Sequence, residues 1–305
     1  MKLTIAVALL VIVASRVAHA QEATNDTVVL RVKQGDSLEL IAAELYGDRT
    51  KALLIVIENK VLRTRPLRPG ERLRAPISRE VTTAPGDTLE ALAGTYLGSA
   101  RRAPFLADFN GISADDSLPA GTIVTIPLTI THTAAAAPEL LSEIAKAYFG
   151  DARHAEMLRR YNFLDKRTLD KNASLIVPMY QVRLAPGRQP APDAASKARR
   201  DHRRDASGRV VKALPAARQA WKGGDYAGVK AVLTDLEPDL DYLDTVDATD
   251  VGVLLGATHV AFADETRAMA MFKRVIDRQP HYVLKRYDWS PRVLAVWEKA
   301  GGQVE

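Results

Sequence analysis

The chain repeats itself. Gly35-Asp36-Ser37-Leu38 recurs as Gly86-Asp87-Thr88-Leu89, an offset of 51 residues, and the same offset carries Gly47 to Gly98, Asn59 to Asn110, Gly70 to Gly121 and Pro76 to Pro127. A register held across a whole unit marks a supersecondary module used more than once. A third, weaker copy comes next, with Tyr148-Phe149-Gly150-Asp151 for Leu45-Tyr46-Gly47-Asp48, Asn162 for Asn59, Asn172 for Gly70 and Pro178 for Pro76.

Each copy has one internal grammar. A short β-branched strand (28–32, 80–83, 129–133) leads into a turn, where Gly35 or Gly86 takes a positive φ and the Asp-Ser or Asp-Thr after it caps a helix. Leu38, Ile41, Ala42 and Leu45 then fall at i, i+3, i+4 and i+7, as do Leu89, Leu92, Ala93 and Tyr96, and Leu141, Ile144, Ala145 and Tyr148. Gly47, Gly98 and Gly150 stand at the helix C-termini. A second apolar helix runs to the Asn, and a closing strand ends in Pro (73–76, 123–127, 175–178).

This strand-helix-helix-strand unit has Gly-Asp-Ser/Thr-Leu after its first strand, Asn at the end of its second helix, and Pro-Gly or Ala-Gly before a strand closing in Pro. It resembles the lysin motif (LysM) family over residues 28–178. The resemblance implies a two-stranded antiparallel sheet with two helices on one face. It also implies binding of N-acetylglucosamine-containing polymers such as peptidoglycan and chitin, in a shallow groove between the first strand-helix turn and the loop before the last strand. By position, that groove is lined by Gly35, Asp36, Ser37, Leu38, Leu62 and Leu67 in the first copy, and by Gly86, Asp87, Thr88, Leu89, Ile112 and Leu118 in the second. Glycine lets the main chain reach acetamido groups, and small apolar side chains pack on sugar faces. Tandem copies add avidity without new contacts. The third copy has Pro138 and Glu139 for the Gly-Asp pair, preceded by Ala134 to Ala137, so it is expected to be a scaffold.

Two segments remain. Residues 183–210 carry Pro186, Pro190 and Pro192 and the run Arg199-Arg200-Asp201-His202-Arg203-Arg204, which reads as an extended, solvated basic linker. Residues 211–305 turn helical. Leu255-Gly256, His259, Ala268, Phe272 and Pro280 keep most of the tetratricopeptide spacing, and Gly224-Asp225-Tyr226, Val229, Leu233 and Leu236 form a looser earlier copy. The stretch resembles a short tetratricopeptide-like domain, which implies a protein partner, here an unidentified envelope protein. At least two of Phe272, Trp289 and Trp297 are expected in its core, and Asp247 or Asp250 at a helix N-cap. The fold class that results is multidomain, α+β and all-α: tandem βααβ LysM-like modules at 28–77, 79–128 and 129–179, followed by a short α-helical repeat domain.

Lys2, the apolar run from Leu3 to Ala14, and Ala18 and Ala20 read as a cleavable export signal over residues 1–20. That run is too short to span a membrane, and nothing later is long and apolar enough, so no transmembrane anchor is expected after cleavage. The chain has no cysteine, which excludes disulfides, thiolate metal sites and a lipidated N-terminal Cys, and suits a bacterial periplasm or cell envelope. The net charge of +5 is concentrated in the 183–212 segment, with nine Lys or Arg against three Asp; an exported chain has little reason to meet nucleic acid.

No catalytic, cofactor or metal residue is expected. The six histidines show no metal-ligand spacing, no Gly-x-Ser-x-Gly elbow is present, and the run Asp239, Asp241, Asp244, Asp247, Asp250 lacks the glycine and glutamate of a calcium loop. The reading is a non-catalytic peptidoglycan-binding adaptor. A wall hydrolase or hydrolase activator, and a spacer whose repeats no longer bind sugar, are the alternatives.

Overall fold

The structure, a computed structural model, describes residues 26–113, 118–135 and 138–305. The export signal expected at 1–20 and residues 136 and 137 of the alanine run lie outside the described residues.

The first unit is β1 (Asp26–Arg31), α1 (Leu38–Tyr46), α2 (Ala52–Asn59) and β2 (Arg72–Ile77). β1 and β2 are antiparallel, with Leu30 opposite Leu73 and Val28 opposite Ala75. The second is β3 (Arg79–Thr82), α3 (Leu89–Leu97), α4 (Ala103–Asn110) and β4 (Ile123–Ile126), with Val81 opposite Val124. The third is β5 (Thr129–Thr133), β6 (Glu139–Leu140), α5 (Leu141–Phe149), α6 (Ala155–Tyr161), β7 (Thr168–Leu169) and β8 (Ser174–Pro178); β5 pairs with β8 and β6 with β7. In α1, Leu38, Ile41, Ala42 and Leu45 are the buried stripe that the spacing predicts, and Leu89, Leu92 and Ala93, and Leu141, Ile144 and Ala145, repeat it in α3 and α5. Gly47, Gly98 and Gly150 close these helices in the left-handed conformation.

The shared apolar core joins units that are not adjacent in sequence. One apolar cluster joins the first unit (Ile41, Leu45, Ile55, Leu73) to the third (Ile130, Leu141, Leu158, Val177), whereas the second has its own around Leu92, Leu106 and Val124. The chain leaving β8 makes the join. Met179, Val182 and Leu184 belong to the shared cluster, and the Ala185 amide donates to the Leu45 carbonyl at 2.8 Å. The second and third units meet through polar and aromatic contacts. The Arg102 Nε donates to the Tyr161 carbonyl at 3.0 Å, and Phe105 meets the Tyr161 ring edge-on at 5.2 Å.

The helical half comprises α7 (Ala194–Lys222), α8 (Tyr226–Leu233), a 3-10 stretch over Thr234–Tyr242, α9 (Thr245–Ala261), α10 (Glu265–Arg278), β9 (Val283–Leu284), α11 (Pro291–Lys299) and β10 (Gln303–Val304), which pairs parallel with β9. The 183–210 segment departs from the expected extended tether, because from Ala194 onward it is the front half of α7. Asp193 caps that helix by accepting from the Ser196 amide at 2.9 Å, and Ala206, Val210, Leu214 and Ala217 form a buried stripe at helical spacing. Alanine, arginine and lysine are good helix formers. The like charges that suggested an extended chain are discharged on neighbours: Arg200 pairs with Glu80, and Arg209 and His202 share the buried Asp239 carboxylate.

α9 and α10 lie close enough that a Cβ on Gly256 would stand 2.3 Å from the Phe272 ring. Phe272 and Trp297 are fully buried, while Trp289 is half-buried. The N-cap of α9 is Asp244, whose carboxylate accepts from the Asp247 amide at 2.9 Å, rather than Asp247 or Asp250; Asp250 is instead paired with Arg218. Among the described residues no helix is long and apolar enough to cross a membrane.

Candidate binding site

The repeated Gly-Asp-Ser/Thr segment folds identically in the first two units. The Asp36 amide donates to the Lys33 carbonyl at 3.2 Å and the Asp87 amide to that of Ala84 at 3.2 Å, so Gly35 (φ +88°) and Gly86 (φ +86°) occupy the third position of a β-turn. That position needs a positive φ, and Pro85 before Gly86 is preset for the second position. The aspartates work inside the turn: Asp36 Oδ2 accepts from the Lys33 amide at 2.7 Å and Asp87 Oδ2 from the Ala84 amide at 2.7 Å. Ser37 and Thr88 are the N-caps, accepting from the Leu40 and Ala91 amides at 3.2 and 3.1 Å. Leu38 and Leu89 direct their side chains into the cores, 3% and 4% exposed.

A second tie brings the opposite wall up to this turn. Gly70 donates to the Val32 carbonyl at 2.7 Å, Gly121 to that of Thr83 at 2.9 Å and Asn172 to that of Ala134 at 3.0 Å. All three residues have left-handed backbones, with φ of +84°, +80° and +63°. On this shared frame each unit builds a different groove.

In the first unit the groove is open. A Cβ on Gly35 or Gly70 would meet nothing within 4 Å, Leu62 stands 76% exposed, and Leu67 packs half-buried against the core.

In the third unit the two walls are joined to each other. Glu139 faces Leu169 and Leu140 faces Thr168 across the β6–β7 pair, and the Leu141 amide donates to the Arg167 carbonyl at 3.0 Å. Glu139 bridges to His132 Nε2 at 2.7 Å and accepts from the Ala135 amide at 3.0 Å. With Pro138 and Glu139 for Gly-Asp, the segment runs as strand where the other units turn.

In the second unit the groove is walled by the helical half. Gly86, Asp87, Thr88, Leu89, Glu90 and Leu118 form one side of a cavity of about 470 Å³, and the other side is built from the 3-10 stretch, α9 and α10, with Asp241, Thr249, Arg274, Asp277 and Arg278. Ile112 and Leu118 border a neighbouring cavity of about 430 Å³ with Arg203 and Asp244 to Asp247. The Ala120 amide, on the loop before β4, donates to the Asp241 carbonyl at 2.7 Å. At Gly121 a Cβ would lie 2.5 Å from the Arg199 carbonyl oxygen and 2.8 Å from the Arg203 Cβ, so α7 crosses at a spot where only glycine fits. Arg199 donates to the Thr82 carbonyl at 3.1 Å and Arg200 to the Thr82 hydroxyl at 2.8 Å.

Electrostatics on the helical wall are set by burial. Asp241 sits between Arg274 and Arg278 at 3.7 and 3.6 Å. Burial pushes the Arg278 guanidinium down from its ordinary value, and Asp241 works against that shift. Asp247 is raised, by burial first and then by Asp244 and Asp250. Among the described residues no group of three or more His, Asp or Glu is placed to hold a metal ion.

Sequence reasoning brings Gly86, Asp87, Thr88, Leu89 and Leu118 to one cavity and misses Thr249, Arg274 and Asp277, which lie more than a hundred residues away. One local signal existed. The first copy has Pro69 where the second has Ala120, and a proline has no N–H with which to reach Asp241.

A LysM domain is found at residues 81–127. Two curated relatives, Esterase MT1326 and Esterase Rv1288 of Mycobacterium tuberculosis, are each 28% identical over 147 residues, 48% of this chain and 32% of theirs. The chain therefore spans about a third of the length of these relatives. Among solved structures, the Bacillus cereus spore cortex-lytic enzyme SleL is 20% identical, with 40% of this chain and 30% of that one covered and a TM-score of 0.16.

Proposed function

We propose that this chain is a non-catalytic binding protein for peptidoglycan or a related N-acetylglucosamine polymer of the bacterial envelope, with LysM-like units at 28–77 and 79–128 as its saccharide sites, the 129–179 unit as scaffold, and the helical half as the part that meets another envelope protein. One observation carries the reading. The LysM match at 81–127 contains the Gly86-Asp87-Thr88 turn, which borders a cavity with both apolar and charged lining residues, and the same turn with the same hydrogen bonds stands at Gly35-Asp36-Ser37.

The chemistry supports it. A turn with glycine at its apex presents main chain without a side chain at the edge of a groove, which lets hydroxyl and acetamido groups approach it closely. Two sites on one chain act in series, so weak single-site affinities multiply into retention on a polymer. The expected export of the chain and its lack of cysteine suit a partner in the bacterial envelope.

The test is sedimentation with purified sacculi. The protein is expected to pellet, and a Gly35→Leu/Gly86→Leu double variant that still folds, judged by its circular dichroism, is expected to stay largely in solution. Full retention of the double variant removes the groove assignment. The same incubation with labelled sacculi reads catalysis: soluble fragments released by the pure protein would overturn the non-catalytic reading in favour of a hydrolase.

A further inference from the structure

We infer that the helical half is itself part of the second saccharide site. Thr249 of α9 and Arg274 and Asp277 of α10 form the far wall of the groove that begins at Gly86, so that this site takes a short saccharide held between two walls, while the first unit offers an open groove to the same polymer. The inference rests on the saccharide-binding reading above and deepens it.

Three independent features build the wall. The Ala120–Asp241 hydrogen bond of 2.7 Å fixes the loop of the LysM domain to the helical half beside the cavity. The bare Gly121 lets α7 lie against that loop, and Arg199 and Arg200 fasten α7 to Thr82 on the β3 side of the same domain. Between these anchors the two walls stay apart and leave about 470 Å³, within the roughly 300–1,000 Å³ typical of small-ligand sites. The cavity is lined by Thr88, Glu90, Thr249, Arg274 and Asp277. The Thr88 hydroxyl caps α3 and the buried Thr249 hydroxyl donates to Gln279 Oε1 at 3.0 Å, so the exposed carboxylates of Glu90 and Asp277 and the Arg274 guanidinium carry its polar chemistry. That mixture both donates to and accepts from sugar hydroxyls. The first unit has none of these features: Gly70 faces open space and Pro69 carries no N–H.

The experiment is a titration of the full chain with the N-acetylglucosamine tetramer, followed by amide chemical shifts, because each groove reports on its own. Saturable shifts are expected at Gly86 to Leu89 together with Thr249 and Asp277, with one common Kd, and separately at Gly35 to Leu38. In an Arg274→Ala/Asp277→Ala variant, which alters exposed positions of α10, the Kd of the first set is expected to rise about fivefold, the loss of one or two hydrogen bonds, with the Gly35 set unchanged. Shifts at Gly86 to Leu89 without α9 and α10, an unchanged Kd in the variant, or shifts at Gly35 to Leu38 alone each overturn the two-walled site and leave the saccharide reading standing. No shifts at either groove overturn both.

Discussion

Asn110 occupies both backbone hydrogen-bonding groups of Thr125: its Oδ1 accepts from the Thr125 amide at 2.7 Å and its Nδ2 donates to the Thr125 carbonyl at 2.9 Å. β4 pairs with β3 alone, so this side chain covers a free strand edge as a further strand would. Asn59 does the same to Arg74 at 2.9 and 2.6 Å, and Asn162 to Ile176 at 2.7 and 2.8 Å. Alanine at any of the three leaves an amide and a carbonyl unpaired. The expected cost is about 1–3 kcal/mol at Asn110 and Asn162, whose pairs are partly buried, and less at Asn59, where water reaches the Arg74 groups. Urea denaturation of the three variants checks the order, and equal losses at all three would discard it.

Gly70 and Gly121 hold equivalent places and left-handed backbones, with φ of +84° and +80°, but different surroundings. Gly70→Ala should cost about 1–2 kcal/mol, the strain of a left-handed L-residue. Gly121→Ala carries the same strain and also pushes a methyl to 2.5 Å from the Arg199 carbonyl oxygen, so α7 must move. Limited trypsinolysis separates the two effects. Arg199 to Arg204 should resist cleavage in the native protein and in Gly70→Ala, and become a preferred site in Gly121→Ala. Rapid cleavage of the native protein there would mean that α7 is not docked.

Local periodicity made most of the repeats legible. Leu38, Ile41, Ala42 and Leu45 announce α1, and the Ser37 and Thr88 caps come from residue type, because these features depend on neighbours a few positions away. The 183–210 segment misled because composition counts Arg199, Arg200 and Arg203 as repelling charges. Arg199 and Arg200 find Thr82 and Glu80 more than a hundred residues away and Arg203 finds Thr122 at a separation of 81, and only folding reveals the pairing. The half of the second groove supplied by Thr249 and Arg274 was hidden for the same reason: a wall assembled between domains leaves no spacing in either. The closure of the third groove was half legible, since the loss of Gly-Asp at Pro138 and Glu139 showed that the turn had gone but not that β6 and β7 would pair.

His259 is 5% exposed in α9, and its pKa is lowered, chiefly by burial; Asp264 and Glu237 oppose the shift, and Lys230 and Arg267 add to it. The imidazole of the unfolded chain takes up a proton as the pH falls through its ordinary value near 6.5, and the folded one does so only at lower pH. Between these values the unfolded state binds more protons, so the stability contributed by the neutral ring is complete above about 6.5 and is lost as the pH falls toward the lowered value. The urea midpoint of the helical half should therefore drop between about pH 7.5 and about pH 5.5, above the range in which ordinary carboxylates titrate. His259→Gln should flatten that slope, and an unchanged slope would locate the titrating group elsewhere.

The third unit supplies a control within the same chain. The Gly-Asp turn of the first two units is replaced there by β6, which is paired with β7, so on the reading proposed above this unit has no groove to offer a saccharide. In a titration with the N-acetylglucosamine tetramer the amides of Glu139, Leu140, Thr168 and Leu169 should stay unmoved while those at Gly35 shift. The Leu141 amide, bonded to the Arg167 carbonyl at 3.0 Å, should also be protected from hydrogen exchange, because a donor in a closed pair exchanges only when the pair opens. Saturable shifts across β6 and β7 with fast exchange at Leu141 would mean that the pair opens readily, and the third unit would then count as a saccharide site.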